Sequence, residues 1–397
     1  MIVIKNGKII TENEILQGYD LYIKNDRIEK IQQSNLPPLV GVSETVDAQG
    51  AFITPGFVDI HADYIEHMTS PRPTSLMDFT MSIRETEKVL INNGITTMFH
   101  SLSLNKKDDR LSIKPVRYLE NVKKFVETIH KTHLSEHLIR HRFHARLEID
   151  NFDAVEDLKK YIHEKKVHLI SFMDHSPGQG QYRDLEMYRN HLKGYRDFSE
   201  EELDNRIEKS IKNEKLTIDM IKEIAEIGLK NKITIASHDD DSLDKLDLVR
   251  SFGTQISEFP IDLQVAKYAK KLGMDVLVGA PNILLGGSHS GNLSAVEAIL
   301  NNCVNILCSD YYPAAILHAI FILEEKHNQD IVEMFKLATI NPAKAVNMDN
   351  EIGSIKENKK ADLLLIEKLN NEFPKITKVF VDGEMVSTVH YRNVVNK

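Results

Sequence analysis

The sequence predicts an α/β protein, a distorted (β/α)8 barrel of the TIM type with a small β-sandwich domain built from both termini. Three observations predict it. Eight short apolar runs recur among stretches with helical spacing, the alternation expected of parallel strands joined by helices. The two chain ends instead carry short apolar runs separated by Asn-Gly, Asn-Asp and Asp-Gly, the signature of small antiparallel strands. A length of 397 residues exceeds one ordinary domain and fits a barrel with an appendage.

Taken in order, residues 1–54 form the N-terminal part of the β-domain, with strands expected at Ile2–Ile4, Lys8–Ile10, Asp20–Ile23 and Ile28–Ile31. Residues 55–349 form the barrel. Its strands are expected at Phe57–Ile60, Ile95–Phe99, Arg142–Ile149, Val167–Met173, Ile233–Ser237, Thr254–Ser257, Asp275–Gly279 and Asn305–Cys308. Helical spacing marks Ile113–Ile129, Leu216–Lys230, Asp262–Leu272 and Leu293–Asn301. Residues 350–397 return to the β pattern, with Ala361–Ile366, Ile376–Val381 and, after the Asp382-Gly383 turn, Glu384–Val389. Two unrelated appendages would read the same way.

The stretch Ile53–Arg72 anchors the functional reading. Pro55-Gly56 turns the chain into an apolar strand that delivers His61 and Asp63 at its end. In a parallel barrel the chemistry gathers at the carboxyl ends of the strands. The third run ends in Arg146-Leu147-Glu148, the fourth in Asp174-His175, the fifth in His238-Asp239 and the eighth in Ser309-Asp310. Imidazoles and carboxylates offer lone pairs to a divalent cation. A lone H-x-D is more simply a core histidine beside a surface aspartate; its company at the other strand ends is what favours metal. We expect His61, Asp63, Glu148, His175, His238 and Asp310 to hold two divalent ions, zinc first, with manganese or iron also compatible. A hydroxide held between the ions would be the nucleophile. Glu148, as bridge, and Asp310, as general base or proton shuttle, would carry the catalysis.

Bulk properties narrow the partners. A net charge of −9 argues against general binding of nucleic acid or an anionic membrane. Cys303 and Cys308 are too few for a disulfide framework, which suits a reduced cytoplasm. No positively charged start followed by a long apolar run suggests a leader or a membrane span.

The segments P-G-F-V-D-I-H-A-D, the strand-end glutamate, the two later strand-end histidines and S-D after the last strand resemble the amidohydrolase superfamily. That pattern usually has H-x-H on its first strand and often a modified lysine as bridge; here Asp63 and Glu148 stand in those places. The longer motifs H-A-D-Y-I-E with P-R-P, M-D-H-S-P-G-Q, S-H-D-D-D, G-A-P-N-I-L-L-G-G-S-H-S-G-N and S-D-Y-Y-P narrow the likeness to its alpha-D-ribose 1-methylphosphonate 5-triphosphate diphosphatases. The resemblance implies release of pyrophosphate from a sugar phosphonate 5-triphosphate, an anionic small-molecule substrate, by attack on its α-phosphorus in carbon–phosphorus lyase catabolism. It leaves open a homo-oligomer. The competing expectations are hydrolysis of a C–N bond in a cyclic amide or a base, and a non-catalytic binding protein that keeps the barrel.

A polyphosphate needs anion contacts. Gly286, Gly287, Ser288 and His289 follow the seventh strand, and Arg72 lies between two prolines, so these are the expected substrate-binding residues. The plainer readings are a turn with a helix cap at Asn292 and a solvated arginine. Ser176–Thr217 is too long for an ordinary connection and reads as a lid or a solvated helical excursion. The run His130, His133, His137, His141 and His144 crosses several elements and reads as scattered histidines. Asp239-Asp240-Asp241 reads as containing a helix cap, with Asp239 a possible site neighbour.

Overall fold

The structure is a computed structural model that describes residues 1–72, 74–104, 115–182, 185–193, 198–287, 292–370 and 372–392. Seven strands precede the barrel: β1 (Ile2–Lys5), β2 (Lys8–Ile10), β3 (Ile15–Gln17), β4 (Tyr19–Lys24), β5 (Arg27–Gln33), β6 (Glu44–Asp47) and β7 (Phe52–Pro55). The barrel follows with β8 (Phe57–Ala62), β9 (Ile95–Leu104), β10 (Arg140–Glu148), β11 (Leu169–Met173), β12 (Thr234–His238), β13 (Ile256–Glu258), β14 (Asp275–Gly279) and β15 (Ile306–Cys308). The chain ends in β16 (Leu363–Leu369), β17 (Phe373–Val381) and β18 (Glu384–Thr388).

Strands β8 to β15 form one eight-stranded sheet in sequence order, and every described pairing in it is parallel. A parallel bridge between Ala62 and Asp310 brings its two edges together. Eight parallel strands closed in this way are the predicted barrel. Val58, Ile60, Phe99, Leu169, Ala236, Ile256, Leu277 and Ile306 plug its centre. A larger apolar layer, including Leu90, Phe125, Phe143, Ile224, Val265 and Phe321, lies between the strands and the surrounding helices. Thr217, Ser242, Asp262, Ser294 and Asp330 each accept a backbone N–H at a helix start, so polar side chains set where these helices begin.

The remaining sheets have the orders β5-β4-β1-β6 and β18-β17-β16-β7-β2-β3. Ile4, Ile9, Leu21, Ile23, Ile53, Leu363, Leu365 and Phe380 share one core, so both chain ends build a single sandwich. It packs against the end of the barrel where the strands start. Gly94, with φ +81°, sits just before β9, and a Cβ there would meet Ile376 at 2.7 Å and Leu364 at 2.8 Å. Arg140, the first residue of β10, ion-pairs with Asp362 and with Asp382 across this junction.

Two helix boundaries move. The helix expected over Ile113–Ile129 runs Leu119–His133, because Pro115 opens a short 3-10 turn ahead of it. The helix expected from Leu293 starts at Ala295 behind a Ser294 cap, so Asn292 is not the cap.

Several imidazoles are buried neutral in this packing. His100 and His141 share a 2.8 Å bond between their rings, and the far nitrogen of His141 lies 3.3 Å from Glu87. Burial pushes His100 well below the ordinary histidine range, lowers His141, and brings His144 and His168 to about 3. Such rings cost nothing above pH 6.5, but below it the unfolded chain gains protons that the folded chain refuses. Fully buried His100 and His144 therefore each remove up to about 1.4 kcal/mol of stability per pH unit of acidification. Asp59 and Asp310, lifted by burial to about 6 and about 7, and His175, lifted against burial to about 9 by its carboxylate neighbours, act in the opposite sense but are outnumbered by the buried imidazoles. Urea denaturation is expected to show a lower midpoint at pH 5.5 than at pH 7.5, and His100→Gln should reduce that difference.

Candidate metal centre

The strand ends converge as the topology dictates. His61 and His238 are the last or next-to-last residues of β8 and β12, and Glu148 ends β10. His175 and Asp310 each lie two residues beyond β11 and β15. All open at the end of the barrel away from the sandwich.

Three buried atoms face one another there. His175 Nε2 lies 3.6 Å and His238 Nδ1 lies 3.0 Å from Asp239 Oδ2. None of the three has a hydrogen-bond partner among the described residues, and Asp63 Oδ1 is in the same condition. Buried polar atoms are rarely left so, and lone pairs aimed at a common point are what a divalent cation accepts. Glu148 extends the cluster by accepting from His175 Nδ1 at 2.5 Å. Burial alone would lower His175, but the Glu148 and Asp239 carboxylates overcome it and lift the imidazole to about 9. Burial would raise Asp239, yet the His238 and His175 imidazoles hold it far below the ordinary carboxylate range. A proton on His175 thus stands among carboxylates where a metal charge would serve the same purpose.

A second group lies directly beneath. His61 Nδ1 is 2.9 Å from Glu258 Oε1, with both side chains buried. The other oxygen of Glu258 accepts from Ser171 Oγ at 2.7 Å, and Ser171 meets His144 Nε2 at 2.5 Å. His61, His144 and Glu258 hold their ligand atoms close enough to share a cation. In the arrangement seen, Glu258 instead fixes the His61 ring and turns its Nε2 away from Glu258. The His61 and His238 rings are 5.4 Å apart, and Phe259 packs against both.

Backbone geometry holds these side chains in place. Asp239 and Asp310 both adopt left-handed φ, +49° and +57°, conformations that aspartate tolerates better than most residues. Lys245 Nζ bonds the carbonyls of His238 and Asp239 and so pins the first turn. Asp310 N–H donates to the His61 carbonyl, and Asp63 N–H to that of Asp310, which pins the second. Burial, then the neighbouring Asp63 carboxylate, raise the Asp310 carboxyl to about 7 against the pull of Arg146.

The predicted residues distribute as follows. His175 and His238 share one group, Glu148 joins it through His175, and His61 belongs to the other. Asp63 and Asp310 flank the two groups, and Asp63 also meets Arg117 at 3.1 Å. Arg72 is exposed on the loop after the first barrel helix, its backbone bonded to Ser75. Gly286, at φ +76°, ends a helix in the left-handed conformation, which accounts for it as a turn residue. Gly287 faces open space, while Ser288 and His289 lie outside the described residues. The three aspartates contain no helix cap, since that position is Ser242. Asp240 accepts from Ser237 and Ser257, and Asp241 accepts from Gly180 N–H at 2.8 Å, so the long insertion folds back against the site. Tyr182 of that segment meets the His175 ring edge-on.

Sequence reasoning missed Glu258 and His144. Glu258 is the residue delivered by the sixth strand, hidden because that strand was ended at Ser257. His144 shares the inward parity of Arg146 and Glu148 on β10, a signal the histidine run obscured.

The amidohydrolase family model matches residues 52–386. The chain belongs to the amidohydrolase family. This hydrolase is 32% identical over 391 residues to the alpha-D-ribose 1-methylphosphonate 5-triphosphate diphosphatase of Escherichia coli strain K12, covering 97% of this chain and 100% of that protein. A shorter match, 29% identical over 113 residues, covers 28% of the amidohydrolase chain and 24% of the dihydroorotase of Aquifex aeolicus. Among solved structures, the crystal structure of an amidohydrolase superposes with TM-score 0.65 at 15% identity, covering 98% of this chain and 99% of that one, which speaks to the fold alone. No helix among the described residues is long and apolar enough to cross a membrane.

Truncating Glu258 would leave His61 and Ser171 facing an apolar gap. His61 is held neutral by burial, so the contact is a buried hydrogen bond, and leaving its partners unsatisfied costs about 1–3 kcal/mol. Glu258→Ala is expected to lower the unfolding free energy by about that amount in urea titrations, and Glu258→Gln by less.

Proposed function

We propose that this amidohydrolase cleaves alpha-D-ribose 1-methylphosphonate 5-triphosphate to the 5-phosphate and pyrophosphate. The observation that carries this reading is the end-to-end similarity to a diphosphatase with that substrate in its name. The chemistry of the strand ends is compatible with it. His175, His238, Asp239 and Glu148 would hold one divalent cation, and His61 with Asp63 a second, zinc being the first candidate. When bound, such cations polarise a phosphoryl oxygen and make a water acidic near neutral pH.

The protein's own groups supply the rest. Asp310 receives the proton that the attacking water loses at one carboxylate oxygen, the task of a carboxylate held beside the reacting water. The water oxygen bonds to the α-phosphorus, the α–β bridging bond breaks, and the electron pair leaves with pyrophosphate. Arg72 and the loop from Gly286 to His289 would hold the outer phosphates. Residues 176–182, already folded against the site, would help keep bulk water from the reacting phosphorus.

A second reading, hydrolysis of a C–N bond in a cyclic amide, is favoured by the partial similarity to dihydroorotase. Purified, metal-reconstituted protein offered both substrate types separates them: pyrophosphate release from the sugar triphosphate is expected, and none above background would end the first reading. Asp310→Asn keeps a residue that tolerates the left-handed backbone. It is expected to lower kcat by about 100-fold or more with little change in KM. Chelation should abolish turnover, and added zinc or manganese should restore it.

A further inference from the structure

Arg146 has no role in the reading above, yet it lies at the centre of the site. It precedes Glu148 by two residues on β10 and so shares its face. Its Nε donates to the sulfur of Met173 at 3.2 Å, and its Nη2 lies 3.3 Å from His238 Nε2. Thioether sulfur is a weak acceptor, and a guanidinium has five N–H donors. Among the described residues no carboxylate lies within 4.0 Å of it. Arg84, Arg117 and Arg140 each meet a glutamate or aspartate. Arg142, half-buried and likewise without one among the described residues, lies near the opposite end of β10, bonded to His133 and the His141 carbonyl.

The half-buried guanidinium has one nitrogen, Nη1, that bonds nothing among the described residues and is not sealed from solvent, so it is free to meet a ligand entering the site. Carboxylates are plentiful at this rim, yet Glu148, Asp239 and Glu258 face imidazoles and Asp63 faces Arg117. We propose that Arg146 is a substrate-anchoring residue whose remaining N–H fork grips a phosphoryl oxygen of the anion next to the metal ligands. This rests on the diphosphatase reading and deepens it. The anion contact nearest the reacting phosphorus would be made from a rigid barrel strand, with Arg72 and the glycine loop left to the outer phosphates. A strand-borne guanidinium is also better fixed than one on a loop, which matters when a phosphoryl group must be held in line for attack.

The test compares wild type with Arg146→Met and Arg146→Lys as metal-loaded proteins, with metal content measured on each. Binding of pyrophosphate and tripolyphosphate is read by calorimetry, with succinate as a carboxylate control. Steady-state kinetics on the sugar triphosphate run alongside. Arg146→Met is expected to weaken pyrophosphate binding and raise KM by about 30-fold or more, with Arg146→Lys intermediate, since a point charge replaces a fork. Equal pyrophosphate affinity in wild type and Arg146→Met overturns the proposal, as does tighter binding of succinate than of pyrophosphate by wild type. If Arg146→Met sheds metal, the same titration on chelator-treated wild type and Arg146→Met decides, with equal affinities again overturning it. Failure of wild type to release pyrophosphate would sink the functional reading alone, because the binding arm reads Arg146 without turnover.

Discussion

The site depends on closure of the barrel between its first and last strands. The seam is short: the Asp310 N–H donates to the His61 carbonyl, and the Asp63 N–H to the Asp310 carbonyl. The carboxylate of Asp59, wholly buried, accepts N–H groups from both His61 and Ser309 and so spans the same gap. Three of the candidate functional residues are therefore also the residues that fasten the sheet into a ring. Their side chains cannot drift apart without opening the wall, and this couples the site's geometry to the stability of the whole barrel.

Charge is sorted along the barrel axis by the same architecture. At the end where the strands start, ionic groups are matched in pairs, as Arg140 is with Asp362 and Asp382, and they join barrel to sandwich. At the other end, acids outnumber nearby cations, and several buried atoms have no partner among the described residues. Such an arrangement is unfavourable for an empty protein. A bound cation would offset it by accepting the lone pairs that His175, His238 and Asp239 turn toward one another.

Much of this was legible in the sequence. All eight barrel strands fall on apolar runs, because a parallel strand buried on both faces cannot hide its composition. His61, Asp63, Glu148, His175, His238 and Asp310 could be picked out because strand ends are where polar residues interrupt those runs. What escaped has a physical reason in each case. β9 continues to Leu104 through Ser101 and Ser103, residues that read as a loop until Ser101 is seen bonded to His144 and the Ala62 N–H inside the barrel. Glu258 looked like the start of a connection. Asp239 was recognised only as a neighbour, since its place between two imidazoles comes from a left-handed turn that no propensity reveals. The helix start at Leu119 was displaced by one proline.

The sandwich has a kinetic consequence. β7 is an N-terminal strand, yet it pairs with β16, whose residues come roughly three hundred positions later. During synthesis the first strands must wait, with Ile9 and Ile53 lacking half of their apolar cover, until nearly the whole polypeptide has left the ribosome. Long-range pairing of this kind slows assembly and prolongs the exposure of sticky edges. The last segment of the chain is thus the one that completes the first, and a nascent chain stalled short of β16 would present a finished barrel beside an unfinished sheet.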